Sequence, residues 1–348
     1  MIWLTWRQFR AQTIAASAAL AALAVALLIT GPHLANLYAT SGIPTCHAHG
    51  DCANLTNTFI NDLKAGAVYE AMFYLGLGVL FVAPAVIGIF WGAPLVTREL
   101  EAGTFRLAWN QSVTRTRWLA VKLGLVGLAA MVTAGLFSLM VTWWASPIDR
   151  AIGTAGPSQS INLSRIDPLV FDARGIAPIG YAAFAFALGV TAGVLIRRTL
   201  PAMAATLAVF ATLQIAWPQL IRPHLIAPVR ATSALNTANL NELVIGNNNT
   251  MEVVEAANKP GAWVLSNQTI TPAGHPFHGP PTPACLSSTQ SFQACQASVK
   301  TLHLRQVLIY QPASRYWAFQ WYETAIYLAL AIGLAGVCFW WLRRRRFS

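Results

Sequence analysis

Six predominantly apolar stretches, each free of Asp, Glu, Lys and Arg, punctuate the chain: Ala11 to Gly50 (apolar from Thr13 to Thr30), Ala71 to Thr97, Leu123 to Ile148, Gly175 to Ile196, Thr199 to Ile221 and Thr324 to Leu342. A helix needs about 20 apolar residues to cross the hydrocarbon of a bilayer, because each unpaired backbone N–H or C=O there costs several kcal/mol. Each stretch is read as one crossing, and the chain as an all-α membrane protein with six transmembrane helices. The polar segments set the rest of the organisation. Only Arg197 to Pro201 joins the fourth and fifth helices, which predicts a tight antiparallel hairpin with Pro201 in the first turn, where its missing N–H is harmless. Residues 13–218 thus carry helices one to five, residues 219–321 a large extracytoplasmic insertion, and residues 322–348 the sixth helix and a basic tail. Within the insertion, Asn247 to Asn249 and Thr271 to Pro283 read as loop, and Ser298 to Ile309 as a short strand or helix.

The first twelve residues differ from a cleavable signal peptide, since the apolar stretch after them exceeds the usual h-region of about 7–15 residues. Ile2, Trp3, Trp6 and Phe9 share one arc of a helix with Arg7 and Arg10 at its rims, which predicts an N-terminal interfacial helix over residues 1–12. The plainer reading is an aromatic and arginine anchor of the first span. Charge then orients the chain. With both termini cytoplasmic, the inner segments hold 13 of the 23 basic residues and two of the 12 acids, Glu99 and Glu101, so the whole formal charge of +11 lies inside. These positives sit at span ends beside an anionic leaflet, which argues for lipid contact and against nucleic acid. A charged fraction of 10% is far below that of soluble proteins. The excess of Arg over Lys and the abundance of Ala suggest a bacterial source, hence a multi-pass protein of the bacterial cytoplasmic membrane.

Absences narrow the chemistry. All seven histidines and every acid fall outside the mid-membrane stretches, which argues against proton relays, ion-coupled transport and intramembrane metalloproteases. The chain has no H-E-x-x-H and no G-x-S-x-G, and none of its four lysines follows a glycine as a phosphate-binding P-loop requires. No catalytic, cofactor or metal site is therefore assigned within the chain. The segment Cys46-His47-Ala48-His49-Gly50-Asp51-Cys52, with the H-x-x-H pair His275 and His278, could ligate zinc or copper, but cysteines facing an oxidising compartment more often form disulfides. Cys46 with Cys52 and Cys285 with Cys295 are the favoured pairs because each shares one loop. Gly189 and Gly193 form a G-x-x-x-G pair that lets the fourth helix approach a neighbour closely, although such spacing is common in Ala-rich spans.

The most specific segment lies between the second and third spans, Thr97 to Lys122. It has alternating charges, then Gly103 as a helix breaker, a short turn over Thr104 to Trp109, and Ser112 and Thr114 as candidate N-caps. Here the chain resembles the permease subunits of type-2 ATP-binding-cassette exporters, whose hallmark is R-E-x-E-x-G-T, an apolar stretch, and S-R before the third span. Arg98, Glu99, Glu101, Gly103, Thr104, Leu107, Ser112 and Arg115 occupy the matching positions, with Arg106 among them. Val113-Thr114 stands where Pro-Val-Ser is common, and Trp109 replaces an aliphatic residue. The six-span plan with a large outer segment before the last helix also matches.

The resemblance implies that the loop over residues 97–117 contains a coupling helix docking on a separate ATPase, present in two copies and holding ATP and Mg, while this chain forms a homodimer. It further implies a substrate pathway between the second and fifth helices of two protomers. Phe73, Leu77, Phe81 and Pro84 on one helix, and Thr206, Phe210, Leu213 and Trp217 on the other, are the candidate lining. Aromatic and uncharged, such a lining suits a bulky apolar or amphipathic substrate. The alternative function is a membrane sensor or assembly protein whose extracytoplasmic domain binds a ligand.

Overall fold

The computed structural model describes residues 2–46, 52–103, 114–155, 164–237, 240–245, 250–257, 259–286 and 292–344. Six helices in it are long and apolar enough to cross a membrane. The first is α1 (Ile2–Thr40), followed by the short α2 (Cys52–Ala65). The second span is composite: α3 (Ala67–Ile87), a π-helical turn (Gly88–Gly92) and α4 (Ala93–Glu101) run on without a break. Next come α5 (Arg115–Ala155), the single turn α6 (Pro168–Phe171), and the hairpin of α7 (Ala177–Ile196) and α8 (Thr199–Leu220). After the turn α9 (Arg222–Leu225) the chain leaves the bundle for five strands, and it returns as α12 (Tyr316–Arg344).

α7 is the axis of the bundle. It is apolar on all sides, as a wholly enclosed helix must be, and packs against α3, α4, α5, α8 and α12. Small residues permit this. A Cβ at Gly189 would sit 2.2 Å from the Gly88 carbonyl oxygen, and one at Gly193 2.8 Å from that of Ala93. The G-x-x-x-G pair therefore does bring two backbones together, with Gly189 against the π-helical turn and Gly193 against the start of α4.

The hydrophobic interior falls into layers. Phe9, Trp91, Trp118, Val194 and Leu342 share one cluster, which places the start of α1 and the end of α12 at the same end of the bundle. At the other end, Leu34, Phe59, Phe73 and Trp144 join α1, α2, α3 and α5. A third cluster, including Tyr181, Phe210, Trp263 and Phe319, seats the strand-bearing region on α7, α8 and α12.

Three expectations change. The chain is mostly helical, but residues 219–321, where only Ser298 to Ile309 was read as a strand or helix, carry β1 (Val229–Ala234), β2 (Leu240–Ile245), β3 (Met251–Glu255), β4 (Trp263–Ile270) and β5 (Arg305–Gln311), with α10 (Pro283–Leu286) and α11 (Phe292–Lys300) before the last strand. β5 is central, pairing antiparallel with β1 and β4, while β2 and β3 form a hairpin. Residues 1–12 form no separate helix, because residues 2–12 are the opening turns of α1, where Phe9 packs edge-on to Trp91 at 4.7 Å. The helices also outrun the uncharged windows. α12 begins at Tyr316 and not Thr324, so Glu323 lies inside it. Asn247 to Asn249 fall outside the described residues.

Candidate functional site

The motif that opens the loop after the second span is built on α4. Glu99 and Glu101 project from its last turns, and each reaches a different helix. The Lys122 ammonium of α5 donates to Glu99 Oε1 at 2.5 Å and to the Leu95 carbonyl at 3.3 Å, and it lies 4.7 Å from the centre of the Trp118 ring. Both charges are largely withdrawn from solvent, with side-chain exposures of 4% for Lys122 and 14% for Glu99. Glu101 reaches the start of α8. Its Oε1 accepts the Thr199 backbone N–H at 2.8 Å, and its Oε2 accepts the Thr199 hydroxyl at 2.6 Å. A carboxylate at a helix start satisfies an otherwise orphaned amide and complements the positive end of the helix dipole. The buried Thr97 completes the joint, donating back to the Ala93 carbonyl at 2.7 Å with its own oxygen 3.2 Å from the Thr199 hydroxyl oxygen, whose proton goes to the closer Glu101.

Gly103 then turns the chain at φ +69°, a left-handed conformation that favours glycine. Thr104, Arg106, Leu107, Trp109 and Ser112 lie outside the described residues. On the far side, Thr114 caps α5 as expected: its Oγ1 accepts the Arg117 N–H at 3.3 Å, and Arg115 is the first helical residue. Beside α4, a cavity of about 190 Å³ is lined by Phe9, Gln12, Trp91, Arg98 and Glu99. Both ends of the loop are thus fixed. At its base α4, α5 and α8 are cross-linked by two acids that the motif itself supplies.

Of the residues expected to line a pathway, Phe73, Thr206, Phe210 and Trp217 are buried within the chain, and Leu77 and Leu213 are half-buried. Phe73, with Leu77 against it, belongs to the cluster of α1, α2, α3 and α5. Phe210 and Trp217, with Leu213, belong instead to the cluster of α7, α8 and α12. Thr206 is buried, donates to the Ala202 carbonyl at 2.7 Å and touches the π-helical turn at Gly88. Phe81 is half-buried. The two sets do not meet in a shared cluster.

Both disulfides form with the expected pairing, Cys46 with Cys52 and Cys285 with Cys295. His47, His49 and Asp51 lie outside the described residues. Among the described residues no three His, Cys, Asp or Glu side chains gather as a metal site, and His278 pairs with Glu252 at 3.0 Å.

A charged cluster at the strand-bearing end was not foreseen. Arg222, on α9, bonds Asp172 after α6 and Glu323 on α12, and the three are at most 2% exposed. Arg222 Nε donates to Glu323 Oε2 at 2.9 Å and Nη2 to Oε1 at 2.8 Å, while Phe171 lies 4.4 Å beneath the guanidinium. Nearby, Gln320 ties α12 to the start of α7: its Oε1 accepts the Ile176 and Ala177 amides at 2.9 and 2.8 Å. The sequence held one clue. Arg222 directly follows the fifth uncharged window and Glu323 directly precedes the sixth, so opposite charges abut two spans at the same end.

No curated protein and no solved structure matches the chain. A family model described as ABC-2 membrane transporter related matches residues 17–222, which takes in most of the first span, the next four spans, the joint of α4 with α5 and α8, and more than half of the sequence. The chain therefore belongs to the ABC-2 membrane transporter related family, as a multi-pass membrane component of the permease type.

Proposed function

We propose that the chain is the permease half of an ATP-driven exporter, coupling ATP hydrolysis in a separate ATPase to passage of a bulky apolar or amphipathic substrate by alternating access. Two copies of the chain work with two ATPase copies, which bind ATP and Mg. The complex sits in a bacterial cytoplasmic membrane with both termini and the loop after α4 on the cytoplasmic side, where the excess positive charge is tolerated.

The joint beneath the loop carries this reading. A force applied between residues 104 and 113 enters α4, and from there passes into α5 through Glu99 and Lys122 and into α8 through Glu101 and Thr199. α4 is in turn locked against α7 by glycine contacts that leave no room to slide. Interfaces packed this closely move as bodies and do not deform gradually, which is what a rocking permease requires.

The test is co-expression with an ATPase of the ATP-binding-cassette class. Wild type is expected to co-purify with the ATPase and raise its hydrolysis rate. Replacing Glu101 by Ala together with Thr199 by Val is expected to leave membrane insertion and binding intact while abolishing most of that stimulation. Stimulation unchanged in the double variant refutes the route through the joint.

A further inference from the structure

Tyr181, on α7, stands between the two acids of the buried cluster, with its hydroxyl oxygen 3.0 Å from Asp172 Oδ1 and 2.7 Å from Glu323 Oε1. A phenol carries one proton and can donate to only one of them. The other oxygen–oxygen contact needs a second proton to be attractive. Charge counting leads to the same place. Two carboxylates share one guanidinium, leaving one net negative charge among groups at most 2% exposed, where an uncompensated charge is costly.

The geometry says which acid takes the proton. Glu323 receives two N–H groups of Arg222, one on each oxygen, together with the Tyr181 contact, so it is the better-supported anion. Asp172 shares Arg222 Nη2 with Glu323 and otherwise has the Gln214 amide at 3.3 Å on its second oxygen. We propose that this cluster is a proton-binding site, in which Asp172 holds a proton donated to the Tyr181 oxygen while the Tyr181 hydroxyl donates to ionised Glu323. On release the proton leaves for solvent, and Asp172 and Glu323 then both carry negative charge within reach of one hydroxyl.

The surroundings agree. Burial raises the Asp172 acid from its ordinary value up to about 6, Arg222 opposing the shift and Glu323 adding to it. The other titratable groups facing the cluster are Asp167, before α6, which also feels Arg222, and Tyr327 on α12, whose ring meets that of Tyr181 edge-on at 4.9 Å. Because its members come from the segment after α6, from the turn α9 and from two spans, α7 and α12, the loaded site clamps those two spans together at the strand-bearing end. Loss of the proton sets two like charges against each other across the contact between Asp172 and α12. The inference does not depend on the chain being a transporter, since the proton can be observed in the isolated protein.

Infrared difference spectra of the full chain in lipid nanodiscs, titrated from about pH 8 to about pH 4.5, test it. A protonated-carboxyl band is expected to grow as pH falls through about 6 and to be missing in Asp172→Asn. The melting temperature follows by linkage. The folded-state acid lies above its unfolded value of 3.8, so Asp172 adds stability at low pH that is lost as pH rises through about 6, and Asp172→Asn should remove this dependence. Should Asp172→Asn fail to fold, Tyr181→Phe is the second probe, because a carboxylic acid that loses the acceptor of its proton absorbs at higher frequency. No band in wild type, a band unchanged in Asp172→Asn, or a band unmoved in Tyr181→Phe overturns the proposal.

Discussion

Lys122 lies 23 positions after Glu99 in the sequence yet pairs with it directly, and the pair sets what a substitution at this joint does. Converting Lys122 to Met leaves Glu99 in a largely dry site without its cation, which is expected to cost about 3–5 kcal/mol. The double change of Lys122 to Met and Glu99 to Leu should cost clearly less than either single change, because a removed pair leaves no stranded charge. Thermal unfolding in detergent checks both; additive losses would contradict a coupled pair. Gly189 makes a second case. Gly189→Ala drives a methyl into the Gly88 carbonyl at 2.2 Å, and a loss of about 1–3 kcal/mol or more is expected from such overpacking. Gly124→Ala meets nothing within 4 Å and should be neutral or mildly stabilising, as Ala replaces Gly in a helix. Residue identities at these places were legible in the sequence, since the R-E-x-E pattern and the glycine spacing stand out. Their partners were not: Thr199 is 98 positions from Glu101, and nothing local announces that contact.

At the level of elements, the π-helical turn Gly88–Gly92 fixes the direction in which α4 points its acids. Such turns hold one extra residue relative to an α-helix and are concentrated at functional sites. Deleting Ile89 should restore an α-helical path and rotate α4 by about 100°, swinging Glu99 and Glu101 away from Lys122 and Thr199. The expected result is a chain that still inserts but melts earlier and no longer stimulates an ATPase; an unchanged melting temperature would mean the turn does not set the phase of α4. The disulfide Cys285–Cys295 closes a short loop against the β2–β3 hairpin and α11. Replacing both cysteines by Ser should lower stability by about 2–5 kcal/mol, read as an earlier unfolding step that reducing agent reproduces in wild type. Element existence was legible wherever apolar length exceeded the bilayer thickness, so all six spans were placed. Their ends were not, because a helix continues past its uncharged stretch while polar side chains find partners, as Glu323 does. The first four strands were missed, and β5 was anticipated only as a strand or helix over Ser298 to Ile309: it has a buried Gln306 and Gln311 where alternation would call for apolar residues, and their amides are satisfied by Glu255, Asn267 and the turn after α8.

For the whole molecule, the sequence carried the class of protein and the polarity of its charge, and the family match agrees with the first of these. The architecture adds a division of labour. One end of the bundle bears the motif joint, the start of α1 and the end of α12, and the other bears the strands, the disulfides and the buried cluster of Arg222. α7 runs between them, touching the π-helical turn near one end and supplying Tyr181 near the other. In the proposed mechanism, work enters through the loop over residues 104–113 from a cytoplasmic ATPase. A photo-crosslinking residue at Trp109, in inverted membrane vesicles given a purified ATP-binding-cassette ATPase, tests it most directly. An ATPase adduct in inverted vesicles, with no labelling of this position by membrane-impermeant reagents on intact cells, is the expected result; labelling from outside, or no adduct with an ATPase that nonetheless works with the chain, would rule out entry of work through this loop.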